Sequence, residues 1–273
     1  MSVIIRGAIK LYYYLNEDII DDKTKNWFLI GSPWPGLGML AVYLLLVTKC
    51  IPEFMKNRPA YDLRRTIACY NILQIIGCAY VFYQSMILGW FNNYKLICQP
   101  VGNGEADVIF AGKVCYSYFL LKVFDLLDTI FFAFRKKQNQ ISFLHVYHHF
   151  GMVAVSWGLV KWVPGGHATF MITLNSFVHI IMYTYYLLTI LDDSYKQSVW
   201  WKKYVTQIQL IQFMALFVHF VLLVFAKDCG FPKEPAYILI PQNLFMVILF
   251  GDFYYRTYIK SPKKEEVLNG KLK

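Results

Sequence analysis

The sequence predicts an all-α membrane protein, a bundle of seven transmembrane helices with its C-terminus in the cytosol and its N-terminus on the opposite side. Hydrophobic residues make up 57% of the 273 positions and charged residues only 16%, whereas roughly 45–50% apolar residues are usual in soluble domains. Long apolar windows recur along the chain, and the lysines and arginines between them are unevenly distributed. These three observations favour a membrane protein of defined orientation.

Seven apolar windows are each long enough to cross a hydrocarbon core of about 30 Å as a helix. Helices are expected because every backbone polar group in lipid needs a partner within the protein, which a helix supplies by itself. The windows are residues 33–49, 66–90, 114–134, 141–162, 167–190, 204–226 and 235–255. We therefore predict one seven-helix domain over residues 33–255, preceded by a segment outside the membrane at 1–32 and followed by a basic cytosolic tail at 256–273.

The orientation follows from the basic residues between the windows. Most of the 27 lysines and arginines fall in the odd-numbered loops and the C-terminal tail, and such an excess marks the cytosolic side. The net charge of +10 is therefore interpreted as a signal of orientation. No nucleic-acid partner is expected, because the sequence contains no basic domain that could bind one.

Two of the six cysteines, Cys98 and Cys229, fall in loops on the non-cytosolic side. They could form a disulfide if that side is oxidising, as the ER lumen is, or they could remain free thiols. The other four lie within predicted spans or at a cytosolic boundary.

The third span contains three ionisable residues at membrane depth, Lys122, Asp125 and Asp128, in the stretch LLKVFDLLDTIFF. Ionisable side chains are unfavourable in lipid and therefore indicate a functional site by default. Lys122 and Asp125 can pair as i, i+3 neighbours, which lowers the desolvation cost of both, and Thr129 falls on the same face of the helix. The alternative is that the pair only holds the helix against its neighbours.

The fourth span begins with FLHVYHHF, which contains three of the six histidines of the chain. Each residue of a helix advances by about 100°, so His145, His148 and His149 face one side and can converge on one point. A single buried histidine is more often a hydrogen-bonded core residue. Three on one face favour a chemical role.

The fifth span carries a second polar stripe, in LNSFVHIIMYTYY. Asn175 and His179 lie one helical turn apart, and Tyr183 and Tyr186 follow on the same side. Aromatic stripes are usually packing surfaces, so the tyrosines are individually weaker indications than the amide and the imidazole.

The sixth span adds Thr206, Gln209 and Gln212, in TQIQLIQF. Hydrogen bonding between helices explains such residues as well as a binding site does, and both interpretations stay open.

Two other classes of protein share parts of this pattern. An H-x-x-H-H box is typical of membrane di-iron enzymes such as desaturases, and Asp125 and Asp128 could add oxygen ligands, but two irons need more histidine boxes than this chain has. A seven-helix receptor fits the number of spans, but the Asp/Glu-Arg-Tyr and Asn-Pro-x-x-Tyr elements typical of that class are absent. Both remain alternatives, and we expect no metal and no cofactor.

Four stretches, in this order and spacing, resemble the signature series of the ELO family, the very-long-chain fatty acid elongases. They are KVFDLLDTIFFAFRKK, FLHVYHH, LNSFVHIIMYTYY and TQIQLIQF. The resemblance extends to WFLIGSPWP before the first span and CQPV after the second, and it covers nearly the whole chain except the C-terminal tail. Within the family, the sequence as a whole resembles an insect or other invertebrate branch.

The resemblance implies a condensing enzyme of the endoplasmic reticulum membrane, a 3-oxoacyl-CoA synthase. Such an enzyme joins a long-chain acyl-CoA to malonyl-CoA and releases CoA and carbon dioxide, so both thioesters are substrates rather than cofactors. The helix bundle would enclose an acyl tunnel, with the N-terminus lumenal and the C-terminus cytosolic. The implied partners are membrane lipid and the reductases and dehydratase that act next in the cycle, and a homodimer is left open.

His148 is our predicted acyl acceptor, because a neutral imidazole attacks thioesters and no Ser-His or Cys-His element lies at a matching depth. His145, His149 and His179 are expected to polarise carbonyls or move protons. The other predicted catalytic groups are Asn175 and Gln209 for the enolate oxygen, Asp128 for orienting an imidazole, and Lys122 for the malonyl carboxylate or only for pairing with Asp125. The rival mechanism is direct attack in a ternary complex, with the histidines acting only as bases.

Basic side chains near the cytosolic ends of the spans are predicted to bind the phosphates of CoA, although plain positive-inside charge would place them there as well. These residues are Arg135, Lys136, Lys137, Lys202 and Lys203. The remaining predicted substrate-binding residues are Tyr183, Tyr186, Thr206 and Gln212.

Topology and the resemblance together predict a disulfide between Cys98 and Cys229. It would join the loop after the second span to the loop before the seventh. Closing a loop of about 130 residues could stabilise the fold by about 4–5 kcal/mol in the chain-entropy model.

Overall fold

The structure is a computed structural model that describes residues 3–91, 93–102, 104–197 and 199–260. These residues form helices joined by short connections and contain no β-strand, which confirms the predicted all-α class. The helices are α1 (Val3–Tyr13), α2 (Pro33–Leu45), α3 (Ile51–Met55), α4 (Arg64–Ser85), α5 (Glu105–Phe134), α6 (Phe143–Trp162), α7 (Thr169–Leu191), α8 (Ser194–Gln197), α9 (Val199–Phe225) and α10 (Glu234–Tyr254).

Five helical segments of the described chain are long and apolar enough to cross a membrane. Some of them extend the helices above through π-helical turns, so that α2 continues into α3 and both α4 and α10 gain a further turn. The segments are Pro33–Met55, Arg64–Trp90, Gly166–Leu191, Trp200–Phe225 and Glu234–Lys260. They correspond to five of the seven predicted spans.

The third and fourth predicted spans form the long helices α5 and α6, but neither is among those five. The reason is composition: α5 carries Lys122, Asp125 and Asp128 within one stretch, and the histidines of FLHVYHHF make α6 more polar. The count of seven and the orientation of the termini therefore remain predictions. The polar residues that set these two helices apart are the ones that indicate a functional site.

The chain divides into two compact units, which are described separately. The first unit comprises Met1–Leu63, Tyr83–Tyr94 and Pro100–Ile172, and the second comprises Arg64–Phe82, Lys95–Gln99 and Thr173–Lys273. The sequence-based division into a 1–32 segment, a 33–255 domain and a 256–273 tail stays a prediction, and the tail lies outside the described residues from position 261 onward.

In the first unit, α5 packs along α6, and α3 packs against α5. The sequence determines where α6 begins, because the Ser142 side chain accepts a hydrogen bond from the backbone N–H of His145, at 3.2 Å, as N-cap residues do. The histidine motif therefore occupies the first two turns of α6. α2 begins in a similar way, with Ser32 as N-cap and Pro33 at the first helical position.

The second unit is built around the pair α9 and α10. Cys98 and Cys229 form a disulfide within it, with a Cα–Cα distance of 5.8 Å, which is the pairing expected from topology and the family resemblance. Near the end of α10, Arg256 donates a hydrogen bond to Asp252 at 2.8 Å, an exposed i, i+4 ion pair.

Candidate active site

The buried face of α5 carries an ion pair inside the first unit. Nζ of Lys122 donates a hydrogen bond to Oδ2 of Asp125 at 2.8 Å, and the two side chains are only 1% and 3% exposed. The ring of Tyr118 lies beneath the ammonium group, 4.9 Å from Nζ to the ring centroid. The predicted i, i+3 pair is therefore confirmed, and its burial makes each charge depend on the other.

One turn further along α5, Thr129 joins two other helices through its hydroxyl group. Its Oγ1 lies 2.8 Å from the hydroxyl oxygen of Tyr43 on α2 and 2.9 Å from Nε2 of His145 on α6. Thr129 is fully buried and Tyr43 nearly so, so the hydrogen bond between these two residues lies away from water. The bond to Nε2 fixes the position of the first histidine of the motif.

The three histidines of α6 are packed together at the start of the helix. The ring centroids of His145 and His149 lie 4.2 Å apart, and those of His148 and His149 lie 5.6 Å apart with the rings nearly perpendicular. Phe132 of α5 packs against His145 at 5.3 Å. The spacing along the sequence thus places the imidazoles on one side of the helix, as predicted.

The geometry couples the protonation of His145 to the direction of the Thr129 hydroxyl. A neutral imidazole has one donor and one acceptor nitrogen, and a hydroxyl group can serve as either partner. If Tyr43 donates to Thr129 and Thr129 donates to His145, Nε2 is the acceptor and the proton of a neutral ring resides on Nδ1. The reverse direction places the proton on Nε2. The cluster can therefore hold or move a proton along a defined path.

The second unit contains its own buried polar stripe, on α7 and α4. The hydroxyl oxygen of Tyr183 lies 3.4 Å from that of Tyr70, and Nε2 of Gln74 donates to Tyr70 at 2.8 Å. The ring of His179 packs edge-on against Tyr183 at 5.6 Å, and Tyr186 also packs against Tyr183, at 6.0 Å. The predicted neighbours on α7 therefore do share one face.

The polar residues of α9 have separate environments within the second unit. Gln209 donates a weak hydrogen bond to the sulfur of Met182 at 3.5 Å, and Thr206 binds the backbone carbonyl of Lys202 at 3.0 Å. Within the described residues, Oε1 of Gln212 is buried and has no hydrogen-bond partner. Asn175 of α7 is also buried, with 2% of its surface exposed.

The basic residues predicted to bind CoA lie at the surface of their units. Lys136 and Lys137 are exposed in the connection after α5, and Arg135 is half-buried there. Lys136 adopts a positive φ of 55° and donates a hydrogen bond to the backbone carbonyl of Lys56 at 3.3 Å. Lys202 and Lys203 are exposed in the first turn of α9. Their exposure leaves the side chains of the four lysines accessible to a ligand in solution.

Sequence reasoning assigned no role to two members of the histidine cluster, Tyr43 and Thr129. It placed Thr129 on the same face of α5 as Lys122 and Asp125, and this spacing was a usable signal. Nothing in the sequence marked Tyr43, one of 21 tyrosines, as the residue that reaches Thr129. Tyr70 and Gln74 were missed in the second unit for the same reason.

The described residues do not group three His, Cys, Asp or Glu side chains in a way that could hold one metal ion. The rings of His145 and His149 pack on each other, and His145 shares a hydrogen bond with the Thr129 hydroxyl, whereas metal ligands direct their lone pairs at a common point. The donor set therefore does not favour the di-iron alternative.

The fold and the side chains define an all-helical membrane protein with a buried lysine–aspartate pair and a histidine cluster on adjacent helices. Residues 28–266 match the model of the ELO family, described as the GNS1/SUR4 family. The chain belongs to this family.

Named relatives align over almost the whole chain. A very long chain fatty acid elongase of Aedes aegypti is 38% identical over 97% of this chain and 74% of its own length. Very long chain fatty acid elongase 7 of Drosophila melanogaster is 39% identical, over 94% and 80%, and elongase 4 of Homo sapiens is 41% identical, over 97% and 83%.

Proposed function

We propose that this protein is a fatty acid elongase of the endoplasmic reticulum membrane that condenses a long-chain acyl-CoA with malonyl-CoA. The products are 3-oxoacyl-CoA, CoA and carbon dioxide. Family membership and the names of the relatives support the reaction class. The observation that carries the chemistry is the packed histidine cluster at the start of α6, in which His145 is held by Thr129 while His148 and His149 lie beside it.

In the first step, a ring nitrogen of His148 attacks the thioester carbonyl of the acyl-CoA. The new C–N bond forms as the C–S bond breaks, and the departing thiolate takes the imidazole proton to leave as the CoA thiol. A nucleophilic side chain that forms such an intermediate divides one difficult reaction into two easier ones. It also allows one CoA site to serve both substrates in turn.

In the second step, malonyl-CoA loses carbon dioxide, and the electron pair of the broken C–C bond forms an enolate. The enolate carbon attacks the acyl carbonyl, a new C–C bond forms, and the C–N bond to His148 breaks. One proton is consumed to restore the neutral imidazole. His149 and His145 are suited to supply it, because their rings contact each other and His145 is joined to a chain of hydroxyl groups.

Lys122, in the charged pair on α5, has one of two roles. Lys122 either attracts the malonyl carboxylate before decarboxylation or only neutralises Asp125. Its burial supports a strong interaction with any carboxylate that reaches it, because charges interact more strongly away from water. The surface lysines after α5 and in α9 are proposed to bind the phosphates of CoA.

The proposal is tested with purified protein in lipid nanodiscs, supplied with a series of acyl-CoAs and isotopically labelled malonyl-CoA. We expect labelled 3-oxoacyl-CoA from long-chain acyl-CoAs. The covalent step is tested with acyl-CoA alone, which should release about one equivalent of CoA and leave an acyl mass on the peptide that contains His148.

The matched variants are His148→Gln and His219→Gln, since both residues are histidines within helices and His219 has no proposed role. Both signals should be lost in the first variant and retained in the second. Neither signal in an enzyme that is active once malonyl-CoA is added would support direct attack in a ternary complex. No product with any acyl-CoA would refute the reaction itself.

A further inference from the structure

Helix α1 has an apolar face that is exposed in the structure. It comprises Val3–Tyr13, and Ile4, Ile5 and Leu11 are 82%, 49% and 56% exposed. At about 100° per residue, these side chains fall in one arc of the helix together with Ile9 and Tyr12. An exposed apolar face on a short helix is typical of a site that binds a membrane or another protein.

The opposite face of α1 is cationic. Arg6 and Lys10 are i, i+4 neighbours, so they lie one above the other, and both are exposed. The helix has no acidic residue. A short helix that combines an apolar face with a basic one matches the pattern of helices that lie in the plane of a membrane surface, where the basic residues meet lipid phosphates.

A contact between Tyr12 of α1 and Trp34 of the segment Pro33–Met55 determines where α1 lies relative to the membrane. Nε1 of Trp34 donates a hydrogen bond to the hydroxyl oxygen of Tyr12 at 3.3 Å, and the two rings stack at 6.2 Å. Trp34 is in the first turn of Pro33–Met55, one of the five segments that can cross a membrane. The end of α1 is therefore at the same level as the end of that segment, where tryptophan and tyrosine are enriched in membrane proteins.

The length of α1 excludes a transmembrane position. Even with the π-helical turn Tyr14–Asp18 that continues it, the stretch spans about 24 Å at about 1.5 Å per residue, less than a hydrocarbon core of about 30 Å. At the membrane boundary, a helix of this length can bury its apolar face only by lying along the surface.

The segment that follows α1 is firmly attached to the end of α6. Lys161, fully buried, donates hydrogen bonds to Oδ1 of Asn16 at 2.8 Å and to the backbone carbonyl of Gly31 at 2.9 Å. Nε1 of Trp162 donates to the carbonyl of Leu15 at 2.8 Å. These hydrogen bonds anchor the C-terminal end of α1 to the end of α6. They therefore hold α1 at the membrane boundary.

We infer that α1 is an interfacial helix that binds the surface of the membrane in which the protein resides. Ile5 and Ile9 insert among the acyl chains, and Arg6 and Lys10 contact the phosphates of the headgroups. The occupant of the exposed face is lipid rather than a second copy of the chain, because the basic face of α1 attracts headgroup phosphates and the contact between Trp34 and Tyr12 places the helix at the membrane boundary. This inference does not depend on the proposed enzymatic activity.

The test uses the full-length protein with the exposed Cys50 and Cys69 replaced by serine, and with the Cys98–Cys229 disulfide retained. Single cysteines are introduced by Ile5→Cys, Ile9→Cys, Arg6→Cys and Lys10→Cys, and each carries a nitroxide spin label in lipid nanodiscs. Power saturation then compares collisions with oxygen, which concentrates in lipid, and with a water-soluble nickel chelate. We expect labels at positions 5 and 9 to favour oxygen and labels at positions 6 and 10 to favour nickel.

Equal access of nickel to all four labels would overturn the inference, because α1 would then project into water. Labels at positions 5 and 9 that are shielded from both reagents and show dipolar broadening between two protein copies would also overturn it in favour of a dimer contact. The charge contribution is tested by adding phosphatidylglycerol to the nanodiscs. This lipid should deepen the label at position 5, and the Arg6→Gln/Lys10→Gln variant should lose that response.

Discussion

Oγ1 of Thr129 lies 2.9 Å from Nε2 of His145, and the threonine side chain is fully buried. The same oxygen atom is 2.8 Å from the hydroxyl group of Tyr43. Three helices, α2, α5 and α6, thus meet through one hydroxyl group, and the first histidine of the H-x-x-H-H motif has its orientation set from outside its own helix.

Replacing Thr129 with valine should lower kcat by about tenfold while leaving KM nearly unchanged. The substitution keeps the shape of the side chain and removes both hydrogen bonds of the hydroxyl group, and loss of the one to His145 at about 1–1.5 kcal/mol corresponds to about tenfold in rate. The effect is measured as initial condensation rates at saturating substrate. Thr48→Val is the control, since Thr48 is exposed and binds the Leu44 carbonyl of its own helix. An unchanged kcat in a folded Thr129→Val protein would show that His145 does not need this partner for catalysis.

Removing one member of the Lys122–Asp125 pair should lower the free energy of unfolding by about 3–5 kcal/mol, because the remaining charge stays buried without its ion-pair partner. Lys122→Met and Asp125→Leu should each show this loss in thermal unfolding. The double variant should recover most of it, and it serves as the internal control because it removes both charges from the same site.

Activity of the double variant separates the two roles of Lys122. If the lysine binds the malonyl carboxylate, the double variant is folded but has a strongly raised KM for malonyl-CoA. If the pair is only structural, condensation recovers together with stability. Single variants that unfold at the temperature of the wild type would contradict the ion-pair argument altogether.

Removing the Cys98–Cys229 disulfide should lower thermal stability, and Cys98→Ser, Cys229→Ser and the double variant should do so equally. The bond closes a loop across a sequence separation of 131, for which the chain-entropy model gives about 4–5 kcal/mol. Scanning fluorimetry with and without a reductant measures the loss. Cys69→Ser, which changes an exposed free thiol, should have no effect. A reductant that destabilises the double variant as much as the wild type would point to another cause.

The variant Lys161→Met should loosen the N-terminal segment. Loss of the ammonium group leaves the carbonyl of Gly31 and the side chain of Asn16 without the donor they now share, at a cost of about 1–3 kcal/mol. Limited proteolysis should cut the region between α1 and α2 faster, and Lys113→Met, which changes an exposed lysine of α5, should leave the rate unchanged. Equal rates in the two variants would mean that other contacts hold the segment.

The double charge reversal Lys202→Glu/Lys203→Glu should raise KM for acyl-CoA several-fold with little change in kcat. Exposed charges attract the phosphates of CoA through water, so the effect should shrink at high salt. Lys227→Glu is the control, because Lys227 is exposed in the loop that carries Cys229, on the predicted opposite side of the membrane. Equal KM values in the wild type, the double variant and Lys227→Glu would mean that Lys202 and Lys203 do not bind CoA and only contribute to the excess of basic residues on the cytosolic side.

The sequence by itself determined the helical class, the approximate extent of the long helices and the local neighbours along each helix. Composition in windows identifies apolar helices, and a fixed advance per residue places Lys122 beside Asp125 and the three histidines on one side of α6. The disulfide partners also followed from the sequence, through the predicted topology and the family resemblance, because Cys98 and Cys229 are the two cysteines in loops predicted to lie on the non-cytosolic side.

Only the tertiary structure decided which residues from different helices meet. Tyr43 and Thr129 are far apart in sequence, and no periodicity relates a residue of α2 to one of α5, so their hydrogen bond depends on how those helices pack. The position of Lys161 against Asn16 and Gly31 has the same origin. The periodicity of a helix specifies the direction of each side chain around that helix. Contacts between helices depend on the packing of many side chains at once.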